Sequence, residues 1–193
     1  LTNEKAKLPE IIKALKIISD SAKPEDTVLI FFATHGEFIK SETNTDYYLI
    51  TSDAESNKLP FTALSMSTLK EIVSKIPALK KVIFLDSCHS GGICRRDRTE
   101  VTQQVKEEIF QNFVSDSFII ITSCLENESS EEYDKLQHGV FTYYLLSGLT
   151  GAVESDGENI ILHSLFLYIN KAVKEYVSSS SCHSQIPQFF GKL

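Results

Sequence analysis

The chain has 193 residues, enough for one domain with a substantial core. Its 42% hydrophobic and 23% charged residues are an ordinary globular balance, and a net charge of −7 argues against general nucleic-acid binding. No apolar run nears the roughly 18 residues of a membrane span, and the opening Leu1-Thr2-Asn3-Glu4-Lys5 is not a signal peptide. It also lacks an initiator methionine, as expected of a fragment or a processed product.

Taken in chain order, Leu8, Ile11, Ile12 and Leu15 sit at helical spacing and predict an amphipathic helix over 7–20. Pro24-Glu25-Asp26 reads as a turn before a strand over 27–33, whose nearly continuous apolar run suits a parallel strand covered on both faces. Residues 36–46 read as a polar loop, Tyr47 to Ile50 as a short strand, and 51–60 as another loop. Leu69, Ile72, Val73 and Ile76 predict a helix, with Thr68 and Glu71 as a capping box and Pro77 as its stop. A strand over 81–86 follows, then a basic loop over 91–100, a helix marked by Val101, Val105, Ile109 and Phe113, and a strand over 117–122. Residues 125–135 read as an exposed acidic loop, 140–147 as a helix, and Leu162 to Val173 as a last long helix. Ser178 to Ser181 is expected to be flexible, and Ile186 to Phe190 to form an edge strand, where proline is tolerated. Alternating strands and helices predict a mostly parallel sheet with helices on both faces, in one domain over 1–193.

The four cysteines, Cys88, Cys94, Cys124 and Cys182, are sparse for a disulfide framework and point to a reducing, cytoplasmic setting. Cys88, His89 and Cys94 lack the spacing of a zinc site, so no metal is expected. Cys124 reads as a small buried apolar residue, His138 and His163 as helix-flanking residues, and Tyr47, Tyr48, Tyr143 and Tyr144 as packing residues with a wet hydroxyl.

Two strand ends carry the chemistry. The strand over 27–33 runs into Thr34-His35-Gly36, and the strand over 81–86 into Ser87-Cys88-His89-Ser90-Gly91-Gly92. An open α/β sheet binds its ligands beyond the carboxyl ends of its strands. A thiol attacks only as thiolate, and an imidazole titrating near neutrality is its natural partner. Adjacent parallel strands would bring His35 and Cys88 to one sheet edge; His89, pointing to the opposite face by alternation, is the weaker candidate base. Gly36 lets its N–H approach a substrate carbonyl with no Cβ in the way, and with the N–H of Cys88 it would form an oxyanion hole.

Ala33-Thr34-His35-Gly36 with Asp86-Ser87-Cys88-His89-Ser90-Gly91-Gly92 resembles the paired motifs of the caspase-like cysteine peptidases, in particular the metacaspase, paracaspase and bacterial orthocaspase branch. Gly139 to Leu146 and Gln185-Ile186-Pro187-Gln188 resemble that family's closing helix and last strand, so the likeness runs from about residue 8 to the end. It implies a three-layer caspase-like fold and peptide-bond hydrolysis through a thioester acyl-enzyme, with Cys88 as nucleophile and His35 as general base and acid. It places Asp86 where the arginine- and lysine-specific branch carries an aspartate, which implies cleavage after Arg or Lys, with Glu128, or nearly as well Glu126, near a second acidic position of the pocket. Arg95, Arg96 and Arg98 stand where family members carry a processing segment, which raises self-cleavage beside the plainer reading of a solvated basic loop.

Two departures from the family follow. Its opening strand, helix and strand are absent here, so another polypeptide segment or domain is expected to complete the fold, with protein or peptide substrates and neither nucleic acid nor membrane as partners. The acidic run that accompanies calcium activation in many metacaspases is missing from residues 37–46, so no cofactor is expected; calcium activation stays open without a clear motif, with the acidic loop 126–134 read as solvated rather than as a cation site. The competing readings are a non-catalytic caspase-like module that binds or scaffolds partners, and a thiol-dependent redox or acyl-transfer enzyme with no need of Asp86. Asp86 also has a bland reading, as a hydrogen-bond acceptor at a strand end.

Overall fold

The computed structural model describes residues 1–40, 44–87, 101–114, 118–124, 132–133, 136, 138–155, 159–180 and 184–192. Its central sheet has strand β1 (Thr27–Ala33) beside β5 (Lys80–Asp86), then β6 (Phe118–Thr122), then β9 (Gln188–Phe190). The first three are parallel, and β9 runs antiparallel to β6. Helices α1 (Leu8–Ser21), α3 (Met66–Ser74) and α4 (Gln103–Phe113) cover one face; α5 (Val140–Ser147) and α6 (Leu162–Ser180) cover the other. The expected three-layer α/β architecture is therefore present.

Strand alternation divides the core in two. Val28, Ile30, Ile83, Leu85 and Ile120 pack with Leu15, Leu69, Val73, Phe110 and Phe113 on the first face. Val82, Phe84 and Ile121 pack with Val140, Phe141, Leu145, Leu165, Ile169, Val173 and Val177 on the second. The residues of α6 recur every four positions, the spacing of one buried helical stripe.

Several expectations need correction. Residues 36–46 are not a loop: β2 (Gly36–Lys40) and β3 (Thr45–Leu49) form a hairpin, extended by β4 (Leu64–Ser65) into a second sheet. Phe38 and Tyr47 pair across the hairpin with ring centroids 4.7 Å apart and reach Phe110 at 6.3 and 5.4 Å, while Asp46 is buried beside them and Lys40 and Asn44 are exposed. Residues 51–60 run into a single helical turn, α2 (Leu59–Thr62). The capping box at Thr68 does not form; the cap is Ser65, whose Oγ accepts the Thr68 N–H at 3.1 Å, so the helix starts earlier. The acidic loop contributes Glu132–Tyr133 as β7 against His138–Gly139 as β8. Ser178 to Ser180 continue α6 rather than forming a flexible tail, because Val177 buries the last turn.

The sheet is covered unevenly. Among the described residues no strand pairs with the outer edge of β1, and α5 and α6 sit over β5 and β6. Leu29 and Phe31, on the α5 side of β1, are consequently 55% and 46% exposed.

Candidate active site

The register between β1 and β5 builds the site. Ala33 pairs with Asp86, and the Thr34 N–H donates to the Asp86 carbonyl at 3.1 Å, so the two chains leave the sheet together. Beyond that pair their paths differ. The chain from β1 turns into the hairpin, where the Ile50 N–H donates to the His35 carbonyl at 2.9 Å and the Thr34 hydroxyl donates to the Ile50 carbonyl. These bonds fix the backbone of His35 and leave its imidazole exposed at the sheet's carboxyl edge.

A groove of about 820 Å³ opens along this edge, lined by β1 residues, His35, Phe84, Asp86, His138, Gly139, Thr142 and leucines of α5 and the turn after it. Asp86 is nine-tenths buried and accepts a hydrogen bond from the Thr142 hydroxyl of α5. Its carboxylate is the one acidic group among the described lining residues. The groove is otherwise mainly apolar, which raises the effect of that charge on a bound cation.

Ser87 faces the opposite way. Its Oγ accepts the Tyr47 hydroxyl at 2.8 Å, and its N–H donates to Ser123 Oγ at 3.2 Å. The Ser123 N–H donates to the Leu85 carbonyl at 2.8 Å, Gln185 Nε2 donates to the Ser123 carbonyl at 3.5 Å, and Cys124 Sγ lies 3.7 Å from the Ser87 carbonyl. A buried hydrogen-bonded floor thus holds the residue bonded to Cys88.

His35 and Asp86 line one groove, and Gly36 follows His35 at the start of β2. Cys88, Glu128, Arg95, Arg96 and Arg98 lie outside the described residues, as do His89, Cys94, Cys182 and His183. Cys124 is buried, as its apolar reading requires. Gly36 gains a second requirement for glycine, and the readings of Tyr47 and His138 change. Gly36 is buried in β2 with the Tyr47 ring against its Cα: a Cβ there would lie 1.6 Å from the phenol oxygen, so the neighbouring side chain already requires glycine. Tyr47 has a buried, bonded hydroxyl rather than a wet one. His138 lines the groove instead of merely flanking a helix. Sequence reading missed Thr142, Ser123 and Tyr47 as site residues; the only available signal was that Thr142 lies inside the Gly139 to Leu146 segment already singled out. No helix among the described residues is long and apolar enough to cross a membrane.

A three-layer α/β protein with an imidazole and a carboxylate in one crevice at the carboxyl edge of its sheet is the class defined by this geometry. The family model for the caspase domain matches residues 2–193, and the chain belongs to that family. Metacaspase-4 of Arabidopsis thaliana is 25% identical over 155 residues, covering 78% of this chain and 32% of that protein, so the chain spans about a third of the curated relative it matches. A crystal structure of a protein from Geobacter sulfurreducens superposes over all of this chain and 77% of its own, with a TM-score of 0.65 at 19% identity. Caspase-1 from Spodoptera frugiperda superposes over 95% of this chain and 67% of its own, with a TM-score of 0.60 at 18% identity. The fold is caspase-like.

Proposed function

We propose that this protein is a cysteine endopeptidase that cleaves peptide bonds after Arg or Lys. The observation that carries the reading is the Ala33–Asp86 register pair: His35 and Cys88 each follow it by two residues, and the Asp86 carboxylate shares a groove with His35.

In this reading His35 takes the Cys88 thiol proton, and Sγ attacks the scissile carbonyl carbon. The resulting oxyanion is held by the N–H groups of Gly36 and Cys88, each such donor lowering the barrier by on the order of 3 kcal/mol. Collapse breaks the C–N bond, and the imidazolium protonates the leaving amine. Water, deprotonated by His35, then hydrolyses the thioester and releases the acid. The reaction uses only the chain's own groups and water. Asp86 receives the guanidinium or ammonium of the residue before the cut and disfavours a carboxylate there. Glu128 would add a second acidic group to the pocket, and the Arg95, Arg96 and Arg98 segment would be a site of self-cleavage.

The exposed Leu29 and Phe31 and the outer edge of β1, which pairs with no strand among the described residues, support a further segment or chain covering that side in the working enzyme. A thiol nucleophile suits a reducing compartment, the cytoplasm.

The test is hydrolysis of fluorogenic peptides with Arg, Lys, Asp or Leu before the cut, with Cys88→Ala alongside. Cleavage after Arg and Lys that vanishes in Cys88→Ala is expected. Cleavage only after Asp would overturn the specificity, and cleavage that persists in Cys88→Ala would overturn the mechanism. Mass spectrometry during turnover would show cleavage within residues 91–100; an intact segment would remove the self-cleavage reading.

A further inference from the structure

We propose that Tyr47 is a positioning residue for the candidate catalytic pair, acting through Ser87 on one strand end and Gly36 on the other. The proposal rests on the peptidase reading above.

The β1–β5 ladder sets the spacing of the two chains as far as Ala33 and Asp86. After that, one chain enters the hairpin sheet and the other leaves the central sheet, so the ladder no longer holds them in register. Tyr47 spans the gap. It comes from β3, inside the hairpin, and its hydroxyl donates to Ser87 Oγ at 2.8 Å. Its ring lies so close to Gly36 that an added Cβ would stand 1.6 Å from the phenol oxygen and 2.2 Å from Cζ. One fully buried side chain therefore touches the residue after His35 and bonds the residue before Cys88. Its ring is wedged between Phe38 and Phe110, with centroids 4.7 and 5.4 Å away, which fixes where the hydroxyl points.

Packing alone does not call for that oxygen. A phenylalanine would fill the same ring space, whereas a buried hydroxyl is tolerated only where it is bonded. Here it completes the floor in which Ser123 Oγ accepts the Ser87 N–H at 3.2 Å and lies 3.4 Å from the Ser87 carbonyl. Reacting groups misplaced by about an ångström lose up to about a hundredfold in rate, so a restraint this near the pair acts on catalysis and not only on folding.

The test compares Tyr47→Phe, Ser87→Ala and the double variant in the full chain. Each single variant is expected to lower kcat about tenfold with KM within about twofold. The double variant should be no slower than the slower single one, because both remove the same restraint. The second readout needs no turnover: the rate at which iodoacetamide alkylates Cys88 as a function of pH, followed by mass spectrometry of its peptide. The midpoint should rise by about half a unit or more in both single variants, since a less well placed imidazole stabilises the thiolate less. An unchanged alkylation midpoint and kcat in Tyr47→Phe, losses in KM alone, or losses that multiply in the double variant would overturn the proposal. So would a lowered melting temperature with an unaltered alkylation profile, which is the signature of a purely structural role. If the parent chain hydrolyses no peptide, the peptidase reading fails, and the alkylation profiles still decide the role of Tyr47. If Tyr47→Phe does not fold, Ser87→Ala carries the same two readouts.

Discussion

Replacing Asp86 with asparagine removes one negative charge. The side chain keeps its shape, and its amide oxygen can still accept the Thr142 hydroxyl that the carboxylate accepts now. Two unit charges about 4 Å apart attract by about 1 kcal/mol in water and about 4 kcal/mol at an effective dielectric of about 20. Asp86 is 9% exposed on the wall of an open, mainly apolar groove, which places it between those limits. A loss of about 2–3 kcal/mol for a substrate cation corresponds to about 30–150-fold in kcat/KM. The assay is steady-state hydrolysis of three matched peptides with arginine, its neutral isostere citrulline, or leucine before the cut. In the parent enzyme citrulline should already lose most of that factor relative to arginine. In Asp86→Asn the arginine peptide should fall to the citrulline level, with the citrulline and leucine peptides changing by less than about threefold. An arginine rate that survives the substitution, or a parallel loss with all three peptides, would refute the assignment of Asp86 to substrate charge.

Gly36→Ala would put a methyl 1.6 Å from the phenol oxygen of a fully buried Tyr47. Overpacking of that kind costs about 1–3 kcal/mol, so melting should fall by about 3–10 °C by calorimetry, and activity with it. Thr142→Val removes the hydroxyl that holds the Asp86 carboxylate; kcat/KM for arginine peptides should drop about tenfold and recover in Thr142→Ser. Asp53 caps α1 from a distance, accepting the Leu8 N–H at 2.9 Å and the Thr51 hydroxyl at 2.8 Å. Partial burial raises its pKa, but the Leu8 and Thr51 bonds and the Lys7 charge outweigh that and hold the carboxyl below its usual range. A depressed folded-state pKa stabilises above the unfolded value and is lost as pH falls through the folded one. Asp53→Ala should therefore cost about 1 kcal/mol in urea unfolding at pH 7, and the gap to the parent should close on acidification below about pH 4.

How much could be read in advance follows from how local each signal is. The strand over 27–33 and the helix over 140–147 match β1 and α5 in extent, because runs of apolar residues are decided by neighbouring residues, but β1 is not covered on both faces as expected: Leu29 and Phe31 stay exposed. The hairpin over 36–49 was hidden because its polar side chains outnumber Phe38 and Tyr47, whose burial depends on Phe110, far away in the chain. The Thr68 and Glu71 pattern competed with Ser65 for one helix start, and pattern alone does not rank them. At the site, His35, Gly36 and Asp86 stood beside strand ends and were legible there. Thr142, Tyr47 and Ser123 were not, because a hydroxyl gains a role only from what the fold sets opposite it, and those partners are 56, 40 and 36 residues away. Gly36 was legible as a glycine that mattered, but a further reason was not: the space beyond its Cα belongs to Tyr47.

The end of β5 separates two duties between adjacent residues. Strand alternation sends Asp86 toward α5 and the groove, and Ser87 toward β3 and the hydroxyl floor. Neighbours in sequence ordinarily couple when altered, because they share contacts or backbone strain. Thr142 bonds the Asp86 carboxylate, whereas Tyr47 and Ser123 bond Ser87. Asp86→Asn and Ser87→Ala should therefore act independently on arginine peptides, the first by weakening the hold on the substrate cation and the second by lowering kcat. Their combined loss in kcat/KM should equal the product of the single losses within about twofold, the scatter expected of uncoupled sites. A double variant no worse than Asp86→Asn alone would mean that Ser87 acts through the pocket carboxylate, and that the two faces of the strand end are mechanically one unit.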